Sequence, residues 1–186
     1  MEIFGWERPQ YFGTAEDHSF RRSNAFEIVG QECRNVRENV GIADLTAFTK
    51  IEISGKDASK LLDRLSANKL PSNDGGIRLT HMLTPLGGIE CEMTITQLDA
   101  ERFYLNSSIM GELHDLDWLN QNVGQDEDVS IRDITDEIAI LAISGPSARD
   151  VLQPLTDADL SNASFPWLTG QEIEIADVPC IALRVS

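Results

Sequence analysis

The sequence predicts an α+β fold built on a duplicated strand-turn-helix unit, and two observations carry that prediction. The stretch ISGKDASKLLDRL at 53–65 returns 90 positions later as ISGPSARDVLQPL at 143–155. Six of the thirteen positions are identical, among them Ile53/Ile143, Gly55/Gly145, Ala58/Ala148 and Leu65/Leu155. Over IECEMTIT at 89–96, apolar Ile89, Cys91, Met93 and Ile95 alternate with Glu90, Glu92, Thr94 and Thr96, the period of a strand with one greasy and one polar face. Two common supersecondary units can coincide by chance. That coincidence is the alternative; the reading taken is a duplicated βα unit, which places a ligand cleft where two related halves meet.

Each element has its own signal. Residues 1–30 mix aromatics with turn residues and hold no sustained period of 2 or 3.6, which predicts an irregular arm. QECRNVRENVGI from Gln31 reads as a short helix, with Gly41 suited to a left-handed cap. TKIEISG is a strand. KDASKLLDRLS is a helix with Asp57 placed at its start and Leu61, Leu62 and Leu65 facing inward. MLTPLGGIECEMTIT reads as two extended segments joined by a glycine turn, and RFYLNSS as a further strand. IMGELHDLDWLN is then a helix with Ile109, Leu113 and Leu116 as a buried stripe and Ser107 or Ser108 as its cap. The expected organisation is an arm over 1–30, a first part of the main domain over 31–136 and a second, repeat-related part over 137–186.

Composition narrows the function classes. With 41% hydrophobic residues in 186 the chain can bury a core. No apolar run approaches the roughly 20 residues of a membrane span, and the first residues lack the pattern of a signal peptide, so a cytoplasmic protein is expected. A formal net charge of -16 without a Lys/Arg stripe argues against nucleic acid and anionic membranes as partners. Cys33, Cys91 and Cys180 are scattered without CxxC spacing, and His18, His81 and His114 have no mutual spacing suited to a metal, so neither a disulfide framework nor a metal site is expected. Glu90 and Glu92 stand out because strands rarely carry two acids on one face. They read either as a solvated face or as a ligand site.

Four segments taken in order, GIADLTAFTKIEISGKDASKLLDRLSANKLP, MLTPLGGIECEMTIT, RFYLNSS with HDLDWL, and ILAISGPSARDVL, resemble the folate-binding domain of the aminomethyltransferase (glycine-cleavage T-protein) family. The resemblance is nearest to the C-terminal half of dimethylglycine and sarcosine dehydrogenases. FGWERPQYF and SFRRSNAFEIVGQECRNVRENVGI are similar to the junction that follows the FAD domain in those enzymes. The resemblance implies a tetrahydrofolate-binding module that takes a one-carbon unit from a small methylated amine, with a FAD-dependent dehydrogenase domain as a partner and no FAD in this chain itself.

Carried over by position, the resemblance implies that Glu92, four residues after the second glycine of the GG turn, acts beside the folate nitrogens as general base or cation stabiliser. It implies that Thr94 lines the pterin and that Asn106 reaches the same channel from the next strand. Family members carry Asp where this chain has Glu92, a difference of about 1.5 Å in reach. The family's Y-x-G-E segment falls just after ALRVS, so the resemblance implies a domain incomplete at its C-terminus. Two functions from different classes stand: a one-carbon transferase module, or a non-catalytic module that binds a folate or docks to a dehydrogenase.

Overall fold

The computed structural model describes residues 2, 3, 5–13 and 20–186. Its centre is a five-stranded antiparallel sheet. In chain order the strands and helices are β1 (Glu2–Ile3), β2 (Trp6–Glu7), α1 (Ala25–Glu38), β3 (Gly41–Asp44), β4 (Thr49–Ser54), α2 (Ala58–Leu65), β5 (Ile77–Leu83), β6 (Ile89–Asp99), β7 (Arg102–Ser107), α3 (Glu112–Gln121), β8 (Ser130–Asp133), β9 (Leu141–Ser144), α4 (Ala148–Leu152), β10 (Thr169–Ile175) and β11 (Val178–Arg184). The main sheet runs β5-β6-β7-β4-β8, while β3 pairs with β9 and β10 with β11. Along β4 and β6, alternate residues Ile51, Ile53, Met93 and Ile95 are buried, and Phe103 and Leu105 of β7 join them. Helix α2 closes this face with Ala58, Leu61, Leu62 and Leu65, all buried as the spacing predicts, and α3 adds Leu119.

The repeat has its strand-turn-helix order in both copies. β4 leads through Gly55 at φ 124° into α2, and β9 leads through Gly145 at φ 122° into α4. Asp57 at φ -101°, ψ 5° and Ser147 at φ -93°, ψ 7° then precede the helices with nearly the same backbone. The duplication also reaches further than those thirteen residues. VGIADLT at 40–46 matches VSIRDIT at 129–135 at four of seven positions. Each of these segments pairs with the repeat unit of the other half: β8 lies along β4 with Ile53 opposite Ile131, and β3 lies along β9 with Ile143 opposite Ile42. The matching extends to single bonds. Thr46 N–H donates to Asp44 Oδ1 and Thr135 N–H to Asp133 Oδ1, while Lys50 N–H donates to Thr135 Oγ1 and Ile140 N–H to Thr46 Oγ1.

Several local expectations are corrected. The first helix begins at Ala25, inside the stretch read as irregular, because Phe26, Val29 and Val36 give it an apolar stripe that no deeply buried position reveals. Gly41 opens β3 instead of capping; the chain leaves the helix at Asn39, whose N–H bonds Asn35 O. Asp57 does not cap α2 with its side chain; Oδ2 accepts the Asp128 N–H at 3.0 Å. Of the expected stripe on α3, Leu116 packs against the core, but Leu113 is 79% exposed and the deeply buried positions are Asp115 and Leu119, with a 3₁₀ turn at Ile109–Gly111 preceding the helix. Ser108 Oγ accepts the Met110 N–H and so caps that turn.

Two buried or bound charges fix the frame. Lys50 is fully buried on β4, where its ammonium donates to Thr46 O at 2.6 Å and Phe48 O at 3.0 Å and so satisfies the carbonyls of the tight 46–48 turn. Burial pulls its pKa down against the opposing pull of Asp133, Asp136, Glu112 and Asp44. Arg64 on α2 grips Glu127 through two bonds of 2.7 and 2.9 Å and also donates to Asn122 O. That grip, with the Gly124 N–H, holds the Glu127 carboxyl down at about 2.

Two outcomes are expected. A Cβ on Gly55 would collide with the Asp128 carbonyl, and one on Gly145 with the carbonyls of Asn39 and Val36. Gly55→Ala and Gly145→Ala should therefore each cost roughly 2–4 kcal/mol in denaturant unfolding, and a cost below about 0.5 kcal/mol at either would show that the exchanged strands do not close there. Because Glu127 is depressed from its ordinary 4.5, its contribution is full above that value and lost as pH falls towards about 2. Glu127→Gln should flatten the acid limb of a stability-against-pH curve over that window.

Candidate functional site

An open cleft of about 550 Å³ lies along β6 and β7, between the 46–48 turn and the start of α3; its lining residues all fall between Phe48 and Asp115, so it sits within the first half and not between the two halves as the duplication predicts. Glu92, Thr94 and Asn106 all line it. Thr94 is paired directly with Asn106 on β7 and with Leu79 on β5, so the three side chains form one row across the sheet. Asn106 Nδ2 donates to Thr49 O at 3.0 Å, which locks the orientation of its amide. Phe48, Leu79 and Met110 supply apolar wall. The polar face of β6 is not uniform, because Thr96 at its far end is fully buried, with the β10–β11 hairpin packed over it at Gly170.

Glu92 sits directly opposite His81 of β5, and His81 Nε2 meets its Oε2 at 2.6 Å. Residue spacing alone gives His81 no role, since its distance from the other histidines suits no metal. What hides the pairing is an irregularity in the hairpin: Leu83 pairs with Ile89, but Met82 pairs with Cys91, so Glu90 occupies a register shift. Counting back from the glycine turn without that shift sets His81 against Cys91. With it, His81 meets Glu92.

The same shift gives the two glutamates different partners within one cleft. Glu90 Oε1 lies 2.9 Å from Nε2 of His114 on α3, and Glu90, His114 and Asp115 line the cleft together with Glu92. His114 Nδ1 lies 3.1 Å from Asp115 Oδ1, and Ser107 Oγ donates to Asp115 Oδ2 at 2.6 Å. Asp115 and Ser107 are both buried. The hydrogen bond to Asp115 is the largest influence and raises the His114 pKa; desolvation opposes it, and the bond to Glu90 adds to the rise. Cys91 beside them is pushed up to about 12, by burial first, which keeps it a neutral thiol. Nothing in the sequence singles out Ser107, His114 or Asp115 for this cleft; HDLD shows only as a helix fragment.

His18 lies outside the described residues. Among the described residues no group of three or more His, Cys, Asp or Glu is arranged to hold a metal ion, and no helix is long and apolar enough to cross a membrane.

Comparison with known proteins places this geometry in a family. The model of the GCVT N-terminal domain matches residues 1–186. A mitochondrial dimethylglycine dehydrogenase of Mus musculus is 42% identical over 188 residues, covering 98% of this chain and 22% of the relative. An aminomethyltransferase of Thermoanaerobacter sp. (strain X514) is 33% identical over 160 residues, covering 86% of this chain and 43% of the relative. The matched region thus covers less than half the length of either relative. Among solved structures, the glycine cleavage system aminomethyltransferase T from Bartonella henselae shares the fold with a TM-score of 0.63 at 24% identity, over 76% of this chain and 38% of that one. The cleft therefore lies in a chain that belongs to the GCVT N-terminal domain family.

Proposed function

We propose that the cleft receives tetrahydrofolate and that the chain is the one-carbon transfer module of a dimethylglycine dehydrogenase-like or aminomethyltransferase-like protein. One observation carries the reading: Glu92, Thr94 and Asn106, the positions to which the family resemblance assigns a folate, line a single cleft from two paired strands. Tetrahydrofolate, when bound, supplies the nucleophilic nitrogens that accept the carbon. Glu92, half exposed and held by His81, accepts a proton from an attacking nitrogen and stabilises a cationic one-carbon donor. His81 engages one carboxylate oxygen, so it aims Glu92 without occupying it. Thr94 and Asn106 offer polar contacts deeper in the row, and Phe48, Leu79 and Met110 keep water from the flat faces of a bound ring. The relationship to a dehydrogenase that carries this domain supports a FAD-dependent partner domain as the source of the one-carbon unit, drawn from a small methylated amine.

Glu92→Gln tests the assignment, since it keeps size and most hydrogen bonding and removes the charge. Methylene transfer to tetrahydrofolate, followed with a dimethylglycine or sarcosine donor system in the protein that carries this chain, should fall roughly 100-fold or more while folate affinity changes far less. An unchanged rate would return Glu92 to a solvated strand face. Folate binding without any turnover in the parent would favour a binding module over a transferase.

A further inference from the structure

The bridge at His114 is a built feature that the one-carbon chemistry does not call for. An imidazole set between two carboxylate oxygens, Glu90 Oε1 at 2.9 Å and Asp115 Oδ1 at 3.1 Å, satisfies both only when each ring nitrogen carries a proton. A neutral ring has one N–H and would turn a lone pair on one of the acids. The two acids are not equivalent. Asp115 is buried, with its side chain 4% exposed, whereas the Glu90 side chain is 23% exposed and can rehydrate. Asp115 is also anchored through the Ser107 hydroxyl. On losing a proton, His114 therefore keeps Nδ1–H towards Asp115, where an unpaired buried charge costs most, and releases Glu90.

We propose that His114 is a positioning residue whose protonated ring ties the Glu90 carboxylate to α3 in the cleft wall, and whose deprotonation frees Glu90 as a second unpaired carboxylate of that wall. The consequence for ligand rests on the folate reading: a freed Glu90 adds negative charge to the wall that an anionic folate must pass. Three groups face His114. Glu90 and Cys91 do so from β6 and Asp115 from α3 itself; Cys91, at about 12, stays neutral across the working range. The sign comes from the raised His114 pKa. The bridge is fully formed below the ordinary imidazole value of 6.5 and is lost as pH rises through the raised one.

Two measurements on this chain decide the matter. In an NMR titration the His114 ring should titrate above 6.5, the Glu90 carboxyl carbon should shift in step with it, and Glu90→Gln should lower the midpoint. A midpoint at or below 6.5, or one that Glu90→Gln leaves unmoved, overturns the bridge. Titration with 5-formyltetrahydrofolate, an oxidation-resistant reduced folate, should show binding weakening roughly two- to fivefold as pH crosses that midpoint, and His114→Gln should remove that step. His81 is present in both proteins, so its contribution is common to the comparison. The same pH dependence in both proteins overturns the positioning role. If 5-formyltetrahydrofolate binds neither protein at any pH, the folate reading fails, and the His114 and Glu90 titrations still decide the bridge. Those titrations use only the wild type and Glu90→Gln, so they stand even if His114→Gln does not fold.

Discussion

The exchange of strands between the two related halves is the constraint on which the rest of the molecule depends. β4 cannot complete its sheet within its own half; its outer neighbour is β8, about 80 residues on, and β9 in turn takes β3 from the first half. Gly55 and Gly145 make this closure possible, since each brings its turn against a backbone carbonyl of the partner half with no room for a side chain. Asp57 N–H then donates to Asp128 O, and Ser147 N–H to Asn39 O, so each helix start is tied to the chain that enters the opposite strand. The halves therefore cannot form one at a time. Such pairing over long sequence separations makes the closing step costly in chain entropy and places this domain among the slower folders of its size.

The exchange also decides where a cleft can be. With β8 on one side of β4 and the β5-β6-β7 meander on the other, one face of the sheet is taken by α2 and α3. On the other face the β10–β11 hairpin reaches only the far end, over Thr96, and leaves the row Leu79, Thr94 and Asn106 open. Lys50 continues that row beside Asn106, and its burial under the 46–48 turn gives the cleft a rigid side wall instead of a loose loop. A lysine does there what ordered water does elsewhere, and it does so with a charge that neighbouring acids keep favourable.

Much of this is legible in the sequence because it depends on local periodicity. β4, α2, β6 and β7 come from alternation and from leucine spacing, and the SGxxA repeat exposes both glycine turns. The 40–46 and 129–135 copies stay hidden, since a four-of-seven match between short strands carries no signal until the structure shows the two segments in equivalent places. Thr94 and Asn106 come from the family resemblance, not from periodicity, and the regular β6–β7 register sets them directly opposite each other. The partners of the glutamates are not legible because alternation assumes that register throughout, and a single shift at Met82/Leu83 sets His81 against Glu92 and leaves Glu90 to His114. His81 and His114 escape notice for the same reason. Which acid a histidine meets is set by the shift and by the 3₁₀ turn ahead of α3, and neither leaves a pattern in the residue types.

In a chain with 31 acidic side chains against 15 Lys and Arg, the choice of partner for each acid carries information. Acids that hold the frame are met by arginine: Glu127 by Arg64, Glu172 by Arg102, Glu52 and Glu137 by Arg132. The acids of the cleft are met by histidine, Glu92 by His81 and Glu90 with Asp115 by His114. The difference is physical. A guanidinium donates to both oxygens of a carboxylate and never gives up its charge, which suits a permanent tie and would leave a catalytic carboxylate blocked. An imidazole takes one oxygen and can lose its proton near neutrality, so it orients the acid while leaving it able to accept a proton or meet a cation. Exchanging either histidine for arginine would keep the attraction and remove that freedom, which is the physical content of the division of partners between frame and cleft.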